Sequence, residues 1–464
     1  MLFNSYEFIF LFLPVVFTVY FFLNKNRFLI PAKAWLILCS LFFYSWWNIK
    51  YLPLLLCSII FNFSVGTALS KSNTSKKKFI DKKVILIVGI AFNLLLLGYY
   101  KYLDFFITNI NILTGHNLTL MHLILPLGIS FFTFTQIAYL VDAYKGEVKE
   151  MDYLNYSLFV TYFPHLIAGP ILHHSEMMPQ FDDKRNKFLN YKNICAGIFI
   201  FSLGLFKKVV IADTFSVWAI NGFDNLKILS FVEAWTTSLS YTFQLYFDFS
   251  GYTDMAIGAS LLFNIILPMN FNSPYKATNI QDFWRRWHIT LSRFLRNYIY
   301  IPLGGNKNGE YKTYNNLVIT FLLGGLWHGA GWTFIIWGLL HGLALVIHRF
   351  WTKFGIKLGT LVSWFITFNF VNLTWIFFRA KNFDDAIKVI KGMLGLNGFH
   401  YDQILLFNFL LFALILIVIF YLKTSHEIMK NISFNKSFLL RFLILFLISY
   451  IFIASKSEFL YFRF

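Results

Sequence analysis

His328 lies in the run FLLGGLWHGAGWTFIIWGLLHG, among apolar residues and with Gly324, Gly325, Gly329 and Gly331 close by. An ionisable side chain at membrane depth is costly and ordinarily faces a partner or a cavity. An imidazole in that position can carry a proton near neutral pH, or it can pack with both nitrogens hydrogen-bonded. The glycines fit either reading, because they let a helix or a ligand approach the backbone closely. Upstream, WRRWHITLSRFLRNY gathers Arg285, Arg286, His288, Arg293 and Arg296. On a helix turning about 100° per residue, these five share roughly half the circumference with Ser292 and Asn297. Two readings fit: an interfacial helix with its arginines among headgroups, or a cationic wall that grips a phosphorylated donor through bidentate guanidinium bonds. The helix is expected to stop by about Ile301, ahead of Pro302 and the Gly304, Gly305 turn.

Other polar groups carry weaker signals. His341 repeats the His-Gly pair and, with His348, reads first as a packing residue that pairs across helices. His165, between Pro164 and Gly169 in YFPHLIAGPILHH, marks a broken segment whose freed backbone groups need protein or a cavity. Asp248 and Asp254 flank a Ser250, Gly251 break in YFDFSGYTDMAIG, where a carboxylate orients a histidine or caps a half-helix. No metal site is expected: His426 and Glu427 begin an H-E pair, but Lys430 stands where a second ligand is required. Cys39, Cys57 and Cys195 form no C-x-x-C pair and read as small core residues.

The elements that hold these residues must be membrane helices. The 464 residues are 58% hydrophobic and 13% charged, against about 45 to 50% and about 25% in soluble domains. A span needs roughly 20 apolar residues, and such stretches recur from Glu7 to Ile453. They include Leu123 to Val141, Leu158 to Leu172, Phe231 to Phe249 and Leu317 to Leu326. The expected fold is all-α and polytopic, a single membrane domain over 1–464 with about 11 to 13 transmembrane or re-entrant helices around a central catalytic cavity. Basic loops at Lys25, Arg27 and Lys33 and at Lys71 to Lys83, against an uncharged-to-acidic stretch from Asp104 to Met121, place the N-terminus outside. The first span has no basic leader or small-residue cleavage site and is expected to stay attached. The net charge of +18 points to anionic headgroups and lipid contact, and nucleic-acid motifs are missing.

Several long motifs together resemble the membrane-bound O-acyltransferase family, and most closely its bacterial alginate and peptidoglycan O-acetyltransferase branch. They are LPLGISFFTFTQIAYLVDAYKG, FPHLIAGPILHHSEMMPQF, YFDFSGYTDMAIG, NFNSPYKATNIQDFWRRWHITLSRFLRNYIYIPLGG and GLWHGAGWTFIIWGLLHG. The likeness runs from LFNSYEFIFLFLPVVF to the final FLYFRF. It implies that His328 is the catalytic histidine and His288 the second histidine of the site. Arg285, Arg286, Arg293 and Arg296 are candidate donor contacts, and Trp327, Asp248, Asp254 and Ser292 candidate supports. It also implies acetyl-CoA as a cytoplasmic donor substrate rather than a bound cofactor, and a location in the bacterial cytoplasmic membrane. A separate extracytoplasmic partner of serine-esterase-like fold would complete transfer to a polysaccharide hydroxyl. A neutral His328 would take the hydroxyl proton, while His288 would donate to the developing oxyanion or orient the substrate.

Two other readings remain open from the residues. Within the family, D-alanyl transfer to wall teichoic polymers would use a carrier protein as donor. From another class, His and Asp could form the proton relay of a transporter, or the chain could serve polysaccharide export. The polar features fall unevenly in the second half, without the matched halves of an inverted repeat.

Overall fold

In lipid each backbone amide must be satisfied within its own segment, so long Leu-, Ile- and Phe-rich runs become helices. The computed structural model describes residues 1–74, 81–148, 152–167, 169–399, 403–421, 423–430, 432, 435–453 and 460. Among them every regular element is helical. The chain divides into two compact units, Met1–Ser202 with Tyr252–Pro268, and Leu203–Gly251 with Met269–Phe464.

Seven helices among the described residues are long and apolar enough to cross a membrane, and Leu29–Ser45 is a shorter apolar helix. The expected 11 to 13 segments therefore include several that helix length or polarity removes from that class. Leu158 to Leu172 is one: Asp152 caps Tyr153–Thr161, the helix stops at Tyr162, and Pro164 opens the short turn Phe163–Leu166. The expected break at Ser250 and Gly251 is absent, because Phe231–Leu262 runs as one helix. Gly251 is there for packing, since a Cβ on it would stand 2.7 Å from the Gly204 carbonyl oxygen. Of the cysteines expected in the core only Cys39 is buried; Cys57 and Cys195 lie on outward faces of spans. The basic loop at 75–80 and the aromatic end at 461–464 lie outside the described residues.

In the first unit, Phe3, Phe8, Phe43 and Phe163 pack together. Buried Asn62 donates to Gln136 Oε1 at 2.5 Å and accepts from Asn93 at 2.6 Å, an interhelical polar tie of the kind that specifies helix partners in lipid. The second unit has an indole-rich core around Trp287, Trp337 and Trp375.

Candidate active site

His328 is the last residue of the helix Glu310–His328, which ends where Gly329 turns extended. Three residues later Trp332–Lys353 begins and returns alongside it. Glycine lets the two backbones meet: a Cβ on Gly325 would fall 2.3 Å from the Phe334 carbonyl oxygen, and one on Gly338 2.3 Å from that of Phe321. The close approach expected of the glycines is what the hairpin uses.

The hairpin seats His328, only 3% exposed, in an aromatic box. Ring centres of Trp327, Trp337 and Phe378 stand 4.9, 5.1 and 5.0 Å from its own. Trp337 buries its Nε1 with no hydrogen-bond acceptor among the described residues. On the far side of Trp337, at 4.8 Å, lies His341. Its Nδ1 accepts from Trp284 Nε1 at 3.2 Å, so its Nε2 carries the hydrogen and donates to Thr374 Oγ1 at 3.1 Å. Both ring nitrogens are thus engaged in cross-helix bonds, and His341 is the packing residue its sequence context suggested.

The second histidine does not sit on one long helix. Asn279 caps Ile280–Arg286, the chain breaks at Trp287 and His288, and Ile289–Leu295 follows, passing into a π-turn at Arg296–Tyr300. The expected continuous helix fails because His288 adopts φ 43°, ψ 56°, a left-handed conformation that no α-helix accommodates. His288 is wholly buried, with Nδ1 3.1 Å from Asn270 Oδ1 and Phe249 edge-on at 4.7 Å. Burial pushes its pKa down to about 3, so the ring is neutral.

The break also spreads the arginines. Arg285 and Arg296 are exposed and Arg293 is half-buried. Arg286 Nε bonds both oxygens of Asp282 at 2.9 Å, and its Nη1 donates to the Asn272 carbonyl. Ser292 Oγ lies 3.5 Å from the Trp287 carbonyl. Trp327 connects the two histidines, with its ring centre 6.3 Å from His288 and 4.9 Å from His328.

Asp248 holds a lysine rather than a histidine. Lys208 Nζ stands 2.6 Å from Asp248 and 2.9 Å from Asp213, while the Leu460 amide donates to Asp248 Oδ2 at 3.0 Å. Asp254 and His165 are buried in the first unit, where His165 Nε2 donates to the Phe159 carbonyl at 2.8 Å. Among the described residues no three His, Cys, Asp or Glu side chains are grouped to hold a metal. Asn270, Trp337 and Phe378 complete the site without having been singled out in the sequence.

In comparisons with known proteins, residues 41–382 match the model of the membrane-bound O-acyltransferase family. Over its whole length the chain is 51% identical to 98% of a peptidoglycan O-acetyltransferase of Helicobacter pylori. It is 39% identical, over 87% of the chain and 77% of the relative, to a probable alginate O-acetylase of Pseudomonas aeruginosa. A teichoic acid D-alanyltransferase of Bacillus subtilis is 30% identical over 56% of the chain and 70% of the relative.

Proposed function

The chain belongs to the membrane-bound O-acyltransferase family, and from that premise we propose that it is an O-acetyltransferase of the bacterial cytoplasmic membrane serving an extracytoplasmic polysaccharide. The full-length likeness to a peptidoglycan O-acetyltransferase supports acetyl as the group and a cell-wall polymer as its destination. The alginate relatives make an exported alginate-like polymer the next acceptor. The donor substrate is acetyl-CoA, reached from the cytoplasm, with Arg285, Arg293 and Arg296 as its phosphate contacts. Arg286, which also bonds Asp282, is the fourth candidate contact. The N-terminus lies outside, and an extracytoplasmic partner of serine-esterase-like fold passes acetyl to the polymer.

His328 is the base. It takes the acceptor hydroxyl's proton while the oxygen forms the new C–O bond, the thioester C–S bond breaks, and the thiolate leaves and recovers the proton. Positioned general-base catalysis of this kind is worth about 10² to 10⁴-fold. His288 orients the hydroxyl or donates to the developing oxyanion, and Trp327 and Ser292 support the pair. The observation that carries this reading is that both imidazoles lie against Trp327 in one buried aromatic site.

The test is ester-linked acetate on peptidoglycan and on exported polysaccharide, compared between wild type and His328→Ala at matched membrane abundance. Loss from one polymer is expected and names the acceptor. Unchanged acetate on every polymer would remove His328 as the base. The D-alanyltransferase match keeps aminoacyl transfer as the second reading, and thiol release from acetyl-CoA by the purified protein would count against it.

A further inference from the structure

The loop before the histidine turn contains one residue, Asn270, whose side chain and backbone together bond three consecutive residues. Asn270 is wholly buried. Its Oδ1 accepts from the Thr290 amide at 3.2 Å and from Thr290 Oγ1 at 2.9 Å, and stands 3.1 Å from His288 Nδ1. Its backbone carbonyl accepts from the Ile289 amide at 3.0 Å. A backbone amide can only donate, so the side-chain atom that faces Thr290 is the oxygen and not the nitrogen. Oxygen here only accepts. His288 Nδ1 therefore carries the hydrogen, and in a neutral imidazole that leaves the lone pair on Nε2.

We propose that Asn270 is a positioning residue that locks His288 in the Nδ1–H tautomer, so that Nε2 enters the reaction site as a hydrogen-bond acceptor. The proposal rests on the reading of His288 as a residue of that site. It divides the two roles left to His288 above. A neutral ring with its only hydrogen committed to Asn270 has none to give an oxyanion, whereas Nε2 can accept from a hydroxyl of the acceptor and aim it.

The local backbone is consistent with this use. A histidine at φ 43°, ψ 56° is held at a cost of about 1 to 3 kcal/mol, and such conformations persist only where surrounding bonds over-determine them. Asn270 supplies those bonds to His288, Ile289 and Thr290 in turn. Phe249, nearly perpendicular at 88°, and Phe271, stacked at 28°, limit rotation of the ring. Burial, which keeps the ring neutral, removes the doubly protonated form that would donate from both nitrogens.

The direct test is the ¹⁵N spectrum of the full-length protein labelled at histidine, with His288 assigned by difference from His288→Gln. A protonated Nδ1 and an unprotonated Nε2 are expected; the reverse pattern would overturn the proposal. The functional test compares Asn270→Ala and Asn270→Asp in proteoliposomes, with thiol release from acetyl-CoA as readout. Asn270→Ala should lower kcat by about a hundredfold or more, because the tautomer is no longer fixed, with the donor KM unchanged. Asn270→Asp keeps the acceptor oxygen and should stay within about tenfold of wild type, with the acid limb of the pH profile moved upward because a carboxylate favours the imidazolium. Equal losses in both variants with an unmoved pH profile would reduce Asn270 to a structural residue. If Asn270→Ala does not fold, the Asp variant and the spectrum decide. Full activity of His288→Gln would overturn the site reading itself, and with it the role of Asn270, whatever tautomer the spectrum records.

Discussion

Replacing Gly338 by alanine is expected to lower both the rate and the stability. A Cβ at that position would stand 2.3 Å from the Phe321 carbonyl oxygen and 3.2 Å from Gly325 Cα. Both are backbone atoms of the facing helix, so no rotamer change relieves the contact. Reaching an ordinary 3.4 Å separation requires the helices to part by about 1 Å. Overpacking of this kind typically costs about 1 to 3 kcal/mol. Phe321 lies two turns before His328 on one helix, and Gly338 directly follows Trp337 on the other. The displacement therefore falls on the 5.1 Å contact between His328 and Trp337. A misplacement of about 1 Å in a catalytic group can lower a rate about a hundredfold. Gly324→Ala is the matched control, because among the described residues its Cβ would meet Leu295 Cδ1 at 3.2 Å, the end of a flexible side chain, and no backbone of a facing helix. With acetyl transfer assayed in proteoliposomes at equal protein content, Gly338→Ala should fall by about ten- to a hundredfold and Gly324→Ala should stay within about threefold. A Gly338→Ala protein with wild-type rate and wild-type melting would refute the claim that the hairpin spacing positions the base.

Lys208→Met should destabilise the protein by about 3 to 5 kcal/mol, because it leaves Asp248, 1% exposed, as an uncompensated buried charge. Lys208→Met with Asp248→Leu should recover part of that loss in thermal unfolding in detergent, because Asp213 also loses the lysine, and equal melting of wild type and Lys208→Met would contradict the ion-pair argument. Stability should also fall with acid through His288. The folded ring stays neutral to about pH 3, while an unfolded histidine protonates near pH 6.5. Between those values the unfolded chain binds the extra proton, so stability rises with pH by up to about 1.4 kcal/mol per unit and is complete above about pH 6.5. His288→Gln should lessen the slope of melting against pH in that window, to which other buried histidines also contribute; an unchanged slope would mean that the ring is not held neutral.

The hairpin at His328 was legible because its signal is local. One imidazole and several glycines within a few residues of each other require a helix end and a close neighbour, and both are present. The turn at His288 was not, since WRRWHITLSRFL contains no glycine or proline to announce it. The left-handed residue is held by Asn270, which is eighteen positions upstream, and helical periodicity carries no information about a partner at that distance. The pair Ser250, Gly251 misled in the opposite sense. It looked like a break, but glycine within a long helix serves equally for close packing, and only the carbonyl of Gly204 at 2.7 Å distinguishes the two uses. Asp248 likewise announced a buried carboxylate without naming its partner, and Lys208 sits within a π-turn at Lys207–Ala212 that periodicity does not foresee.

Hydropathy and chemistry mark different parts of this chain for a physical reason. The spans that hydropathy finds most readily include Lys82–Thr114 and Asn408–Lys430, whose apolar windows are only 17% and 18% buried by protein. Such helices are apolar because lipid is their solvent. Glu310–His328, which carries the proposed base, is not among the seven candidate spans. It buries Thr313, Asn316, Thr320 and His328 against its own unit, and polar groups sheltered by protein need not meet lipid. The segment of His288 is shorter still and broken, which membrane depth permits only where protein surrounds the irregular backbone. A search for function in a membrane chain of this kind should therefore begin with helices that fall just short of spanning. There the loss of hydropathy records side chains kept for chemistry or for holding it in place.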